Sequence, residues 1–251
     1  MAIRQEYVSP TLYHFVGRSA GDDLARFDVL MKILESKVLL YDPLGRFPSA
    51  VPTFQEDTFR RFGEITMVPA VCFCDIPRSQ LSIHTGKYSK FGIGFSKPTL
   101  MAKGVRPIWY LPLSATSAIA NTETLATRFP VELKRLLHST GTLIKKLTEN
   151  TGIADPHNIL SNDPELQLAL SQLHQSHFFV LAEIAWYFKF FDATLSDADA
   201  GNFYFEREWR KVNGNIDFDF GEIENIFVPT EVFKAKLVSR LPHLERMVEL
   251  M

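Results

Sequence analysis

The chain is poor in the residues that most directly announce a function. Its 251 residues hold two cysteines, Cys72 and Cys74, in a single Cys-Phe-Cys run. Two thiolates alone do not make a zinc site, and a buried, reduced pair is expected, as suits a reducing compartment. No long apolar run is present. The richest stretch, Phe178 to Phe191, is broken by Glu183 and Lys189, and it falls short of the roughly 20 apolar residues needed to cross a bilayer. The opening residues Met1 to Glu6 lack the apolar segment of a secretion signal. A cytoplasmic protein with no membrane association is expected. Charge of one sign is also missing: the net charge of -2 gives no global basic field for nucleic acid or an anionic surface. Neither a P-loop nor a nucleophile elbow occurs, and an acidic cluster of the kind a metal-dependent nuclease needs is not visible.

What is plentiful is phenylalanine, with 21 residues, which implies a core or cleft rich in rings. Thr11 to Val16 reads as a strand, with β-branched and aromatic residues after Pro10. Asp22 or Asp23 can cap a following helix whose apolar positions Leu24, Phe27, Leu30, Met31 and Leu34 recur at helical spacing. Residues 41–69, with scattered prolines and glycines, read as a long loop. Strands are predicted over 71–75, 91–96 and 106–111. From about 114 to 191 the pattern turns helical; a cap at Asp163-Pro164-Glu165 starts one helix, and Phe178 to Phe191 is predicted as a buried helix. The strand pattern resumes over 203–212, followed by an Asn213-Gly214 hairpin turn into Ile216–Phe220. These elements predict one α+β domain over residues 1–251, with a mixed, mainly antiparallel sheet and a helical insertion over 114–191.

Two features carry chemistry. With a two-residue period, Tyr204, Glu206, Glu208 and Arg210 share one face of the 203–212 strand. That face suits a solvated surface or a polar cleft. His14 lies on the first strand between Tyr13 and Phe15, where a core or edge histidine and a functional one are both open readings. Phe91-Gly92-Ile93-Gly94-Phe95 lacks the third glycine of a dinucleotide fingerprint, so close backbone packing explains it better. His174 and His177 stand three apart on a helix with no third ligand near, which favours a solvated or packed pair over a metal site. Lys87, Tyr88, Lys90 and Lys97 form a small basic and aromatic stretch that could touch nucleic acid.

Taken together, Leu12-Tyr13-His14-Phe15, the helix ending Leu30 to Leu34, Val71 to Pro77, Leu81, His84, Lys87-Tyr88, Phe91 to Lys97 and Glu206-Arg207-Glu208-Trp209-Arg210 resemble the AbiGi-like abortive phage-resistance family. The same layout is more distantly similar to the ADP-ribosyltransferase fold, including DarT-like DNA-modifying toxins. The first resemblance implies the antitoxin-like half of a two-gene abortive-infection (toxin–antitoxin) system, with a cognate toxin or antitoxin protein as partner. The second implies NAD as substrate and a nucleic-acid or protein acceptor of ADP-ribose. On that view Glu208 stabilises an oxocarbenium-like ribose and Glu206 orients or deprotonates the acceptor. His14 bonds the adenosine ribose, Tyr13 or Tyr88 stacks on nicotinamide, and Ser96 or Tyr88 fills the middle-strand position. Arg18, Lys87 and Lys97 are candidates for the phosphates. The transferase reading requires His14 and Glu208 to line one cleft.

Overall fold

The computed structural model describes residues 9–42, 69–112, 125–150, 164–196, 199, 202–212 and 214–251. The chain divides into two compact units, one drawn from residues 1–51, 68–108 and 196–251, the other from 52–67 and 109–195. The predicted loop over 41–69 lies almost wholly outside the described residues, as do Asp163 and Asn213.

The first unit is a mixed α+β structure. Its elements in chain order are β1 (Thr11–Phe15), α1 (Asp23–Ser36), β2 (Val38–Leu39), β3 (Ala70–Cys74), α2 (Ser82–Lys87), β4 (Gly92–Ser96), α3 (Lys97–Ala102) and β5 (Arg106–Pro107). In the second unit come β6 (Trp109–Pro112), α4 (Leu125–Asn150), α5 (Pro164–Phe179) and β7 (Phe188–Phe191). The first unit then resumes with β8 (Glu208–Val212), β9 (Ile216–Asp217), β10 (Ile223–Val228), α6 (Glu231–Arg240) and β11 (Val248–Leu250). Seven of these strands form one sheet in the order β11-β10-β4-β1-β3-β8-β5. All its pairings are antiparallel except β10 with β11.

One face of that sheet is the main core. Leu12 of β1, Val71 and Phe73 of β3, Ile93 and Phe95 of β4, and Ile226 and Val228 of β10 pack there with Phe27, Leu30, Met31 and Leu34 of α1. The periodicity that predicts α1 holds at these four positions, whereas Leu24 is exposed. Asp22 caps the helix, its carboxylate accepting the Ala25 N–H at 2.8 Å. Asp22→Ala should therefore cost about 1 kcal/mol, read as a lower urea midpoint at unchanged slope.

The paired glycines of β4 reflect close approach rather than a nucleotide loop. A Cβ on Gly94 would meet Asn225 Oδ1 at 2.9 Å and the Tyr13 ring at 3.0 Å, and one on Gly92 would meet the Phe15 ring at 3.0 Å. The two rings lie across the strand where side chains would otherwise stand.

Two expectations for the later strands need correction. Phe203–Glu206 is a turn of 3-10 helix and Arg207 takes the left-handed conformation with φ 41, so the strand starts only at Glu208. Nor do β8 and β9 form a hairpin: β9 pairs with β2, by Val38↔Asp217 and Leu39↔Ile216. Local turn chemistry there gives way to burial of Leu39 and Ile216, each 1% exposed.

In the second unit α4 packs against α5, and β6 runs parallel to β7 with Trp109 opposite Phe188, ring to ring at 5.3 Å. The predicted buried helix over Phe178 to Phe191 holds only in part. The α-helix closes with Phe178 and Phe179 exposed, a π turn over Val180–Ile184 and a 3-10 turn over Ala185–Tyr187 carry on with Ala182, Ala185, Trp186 and Tyr187 buried, and only Phe188–Phe191 is a strand. A short apolar run satisfies either element, and here a partner strand decides it. His177 packs as expected of a helix-face histidine, its Nδ1 lying 2.5 Å from the Thr140 hydroxyl.

Candidate functional site: a buried polar cluster on one face of the sheet

Cross-strand neighbours in an antiparallel pair point to the same face. The register aligns Asn225 of β10, Gly94 of β4, Tyr13 of β1, Cys74 of β3 and Glu208 of β8 in one row. Tyr13, Cys74 and Glu208 thus share the face opposite the main core. Under it a smaller cluster forms from Tyr13, Cys74, Ile76, Leu81 and Phe227, with Phe15 packed alongside.

His14 belongs to the other face. It pairs in register with Ile93, its ring lies 5.7 Å from that of Phe73, and its Nδ1 donates to the Cys72 carbonyl at 2.8 Å. Burial pushes its pKa down, against the opposing pull of that carbonyl. The expected convergence of His14 and Glu208 is therefore corrected: alternation along β1 sends Tyr13, not His14, to the glutamate side.

Glu208 is 7% exposed and Arg210 only 3%. The guanidinium sits on the carboxylate, with Nε at 2.9 Å and Nη2 at 2.8 Å from the same oxygen. Glu206, also 7% exposed, is brought near Cys74 by the left-handed turn at Arg207. Its carboxylate accepts from Lys87 Nζ at 2.8 Å and from the Tyr88 hydroxyl. The Tyr88 ring is flanked by the Arg18 guanidinium at 4.9 Å. Ser96 closes β4 opposite Thr11, two residues from the Tyr13 row. Lys97 is committed elsewhere, bonding Asp75 at 2.8 Å over the Trp209 ring. Asp75 also accepts the Ser9 N–H at 3.0 Å, which ties the chain before β1 to the end of β3.

The titration behaviour follows from burial. Cys74 is buried and its thiol is pushed far up, by desolvation first and by Asp75 next, so it is no nucleophile. Cys72 is exposed, so the expected buried pair holds for Cys74 alone. Tyr13 is also raised by burial, with hydrogen bonds from Ser9 and Thr11 opposing. His84 of α2 is 3% exposed and pushed down to about 4 by burial, Glu206 pulling the other way. Its ring lies 5.6 Å from Tyr88 and 6.4 Å from Phe15. Sequence reasoning gave His84 no role in the site. The signal was the spacing of Leu81, His84 and Tyr88, three and then four apart, which marks the inward face of a helix turn.

Of the residues singled out from sequence, Tyr13, Tyr88, Glu206 and Glu208 gather on one side, Ser96 stands at its margin, and His14 is excluded. Among the described residues no cluster of three His, Cys, Asp or Glu side chains could hold a metal ion. No helix among them is long and apolar enough to cross a membrane.

A mainly antiparallel sheet flanked by helices, with a sealed polar cluster on one face, defines an α+β protein whose acidic residues are already engaged by its own cations. Residues 53–241 match the family model described as "Putative abortive phage resistance protein AbiGi, antitoxin". The chain belongs to the AbiGi family. No curated protein and no solved structure matches it.

Proposed function

We propose that this chain is a non-enzymatic, antitoxin-like partner in a two-gene abortive-infection system, and that it acts by binding a cognate toxin protein. The observation that carries this reading is the condition of the two carboxylates. Glu208 is capped by the Arg210 guanidinium, and Glu206 is held by Lys87 and Tyr88. A carboxylate that stabilises a developing ribose cation must turn its charge toward that cation. One already neutralised in a buried, doubly bonded ion pair has little left to offer. The antitoxin description of the family supports the same reading.

The test pairs the purified chain with the product of the adjacent gene. A stable complex by size exclusion and calorimetry is expected, with no heat of NAD binding to the chain alone. Transfer of labelled ADP-ribose from NAD to DNA or protein, abolished by Glu208→Gln, would overturn it.

One observation favours the enzymatic alternative: Tyr13, Tyr88, Glu206 and Glu208 lie on the same side. As an ADP-ribosyltransferase using NAD, the chain would need Glu208 to leave Arg210 as substrate enters, with His14 taking no part.

A further inference from the structure

Helix α2 closes over the Tyr13 and Cys74 side of the sheet, yet its contacts work against one another. It is six residues long, short of what a helix needs to hold itself together. No side chain caps its N-terminus, and Gly86 stands within it. Leu81, 1% exposed, anchors its start among Tyr13, Cys74 and Phe227. His84 follows it inward. A neutral imidazole carries one donor and one acceptor, and among the described residues neither ring nitrogen of His84 has a partner. Such a group is penalised when buried and relieved when water reaches it. Against that penalty, Lys87 and Tyr88 fasten the far end of α2 to Glu206. The strands beneath are differently placed: β1 and β4 each have a hydrogen-bonded neighbour on both sides.

We propose that α2 is a lid, which opens as a unit while the seven-stranded sheet stays closed, uncovering His84 and the Glu206 carboxylate. Closure is held by the contacts to Glu206 and opposed by the buried imidazole. The two can be altered separately.

Native-state hydrogen exchange on the chain alone reads this directly. The amides of Thr85 and Tyr88, which bond to the Leu81 and His84 carbonyls, should exchange at least about a hundredfold faster than those of Ile93 and Phe95 in β4, with little dependence on denaturant. His84→Phe keeps a ring between Phe15 and Tyr88 but removes the unpartnered nitrogens from the closed state, and should slow α2 exchange about tenfold. Lys87→Met combined with Tyr88→Phe should speed α2 exchange, with β4 still far slower. Exchange of α2 in step with β4 in the unmodified chain overturns the proposal, as does either variant leaving α2 exchange unchanged or bringing it into step with β4. Should His84→Phe fail to fold, the unmodified chain and the double variant still decide it. None of these readouts involves a toxin or NAD.

Discussion

Arg210→Met is expected to lower the free energy of unfolding by about 3–5 kcal/mol, because it strands the Glu208 carboxylate inside the protein without its counter-charge. Arg210 is the more buried of the pair and supplies two N–H donors to one carboxylate oxygen. Losing it removes those bonds and leaves an anion desolvated by the sheet on which it stands. The companion variant makes the argument specific. Replacing both residues, Glu208→Leu with Arg210→Met, should recover most of the loss, since a buried pair exchanged for apolar groups of similar size is often neutral. Urea unfolding of the three proteins distinguishes a stranded charge from simple loss of packing, which would leave the double variant no better than the single one. Arg240 provides the surface control. It pairs with Glu35, but the side chains are 49% and 43% exposed, so Arg240→Ala should change stability by less than about 1 kcal/mol.

Stability should also fall as pH drops from about 6.5 toward 4, by up to about 3 kcal/mol from His84 alone. The imidazole is pushed down to about 4 in the folded protein by burial, while in the unfolded chain it takes up a proton near its ordinary value of 6.5. Between those two values the unfolded state binds more protons, so acid favours unfolding. Above the upper value both states are neutral and the full stability is present. His14 is also pushed down by burial and adds to the slope in the same direction. Carboxylates begin to titrate only toward the bottom of this window, so the interval between pH 5 and 6.5 isolates the imidazoles. His84→Phe should flatten the dependence there. An unchanged slope in that variant would show that His84 titrates normally, in contact with water.

How much of this was legible in the sequence depended on whether a local pattern or a distant partner decided each element. α1 was readable because its apolar spacing and its Asp22 cap lie within one continuous segment. β1, β3 and β4 were readable from their β-branched and aromatic runs. The failures share a cause. Glu206 and Glu208 alternate correctly only if the strand is continuous, and the left-handed Arg207 that interrupts it is not a residue type that advertises positive φ. Phe188–Phe191 reads equally as buried helix or strand, and its pairing with β6 some eighty residues earlier settles the matter. For His14 the error was one of phase. Both Tyr13 and His14 are polar enough to line a cleft, and one step along the chain exchanges core for cluster. The salt links that close the site were the least visible part. Lys87 and Glu206 stand 119 residues apart, and nothing in either neighbourhood names the other.

The order of strands in the large sheet carries a consequence for how the protein is made. β3 needs β8 along one edge and β4 needs β10 along one of its own, and both partners lie beyond residue 207. A nascent chain emerging from the ribosome must therefore carry β1, β3 and β4 with two edges bare while residues 109–195 of the second unit are synthesised. Non-local pairing of this kind is slow, and bare edges recruit other chains. The protein should depend on chaperone shielding during synthesis far more than its modest size suggests.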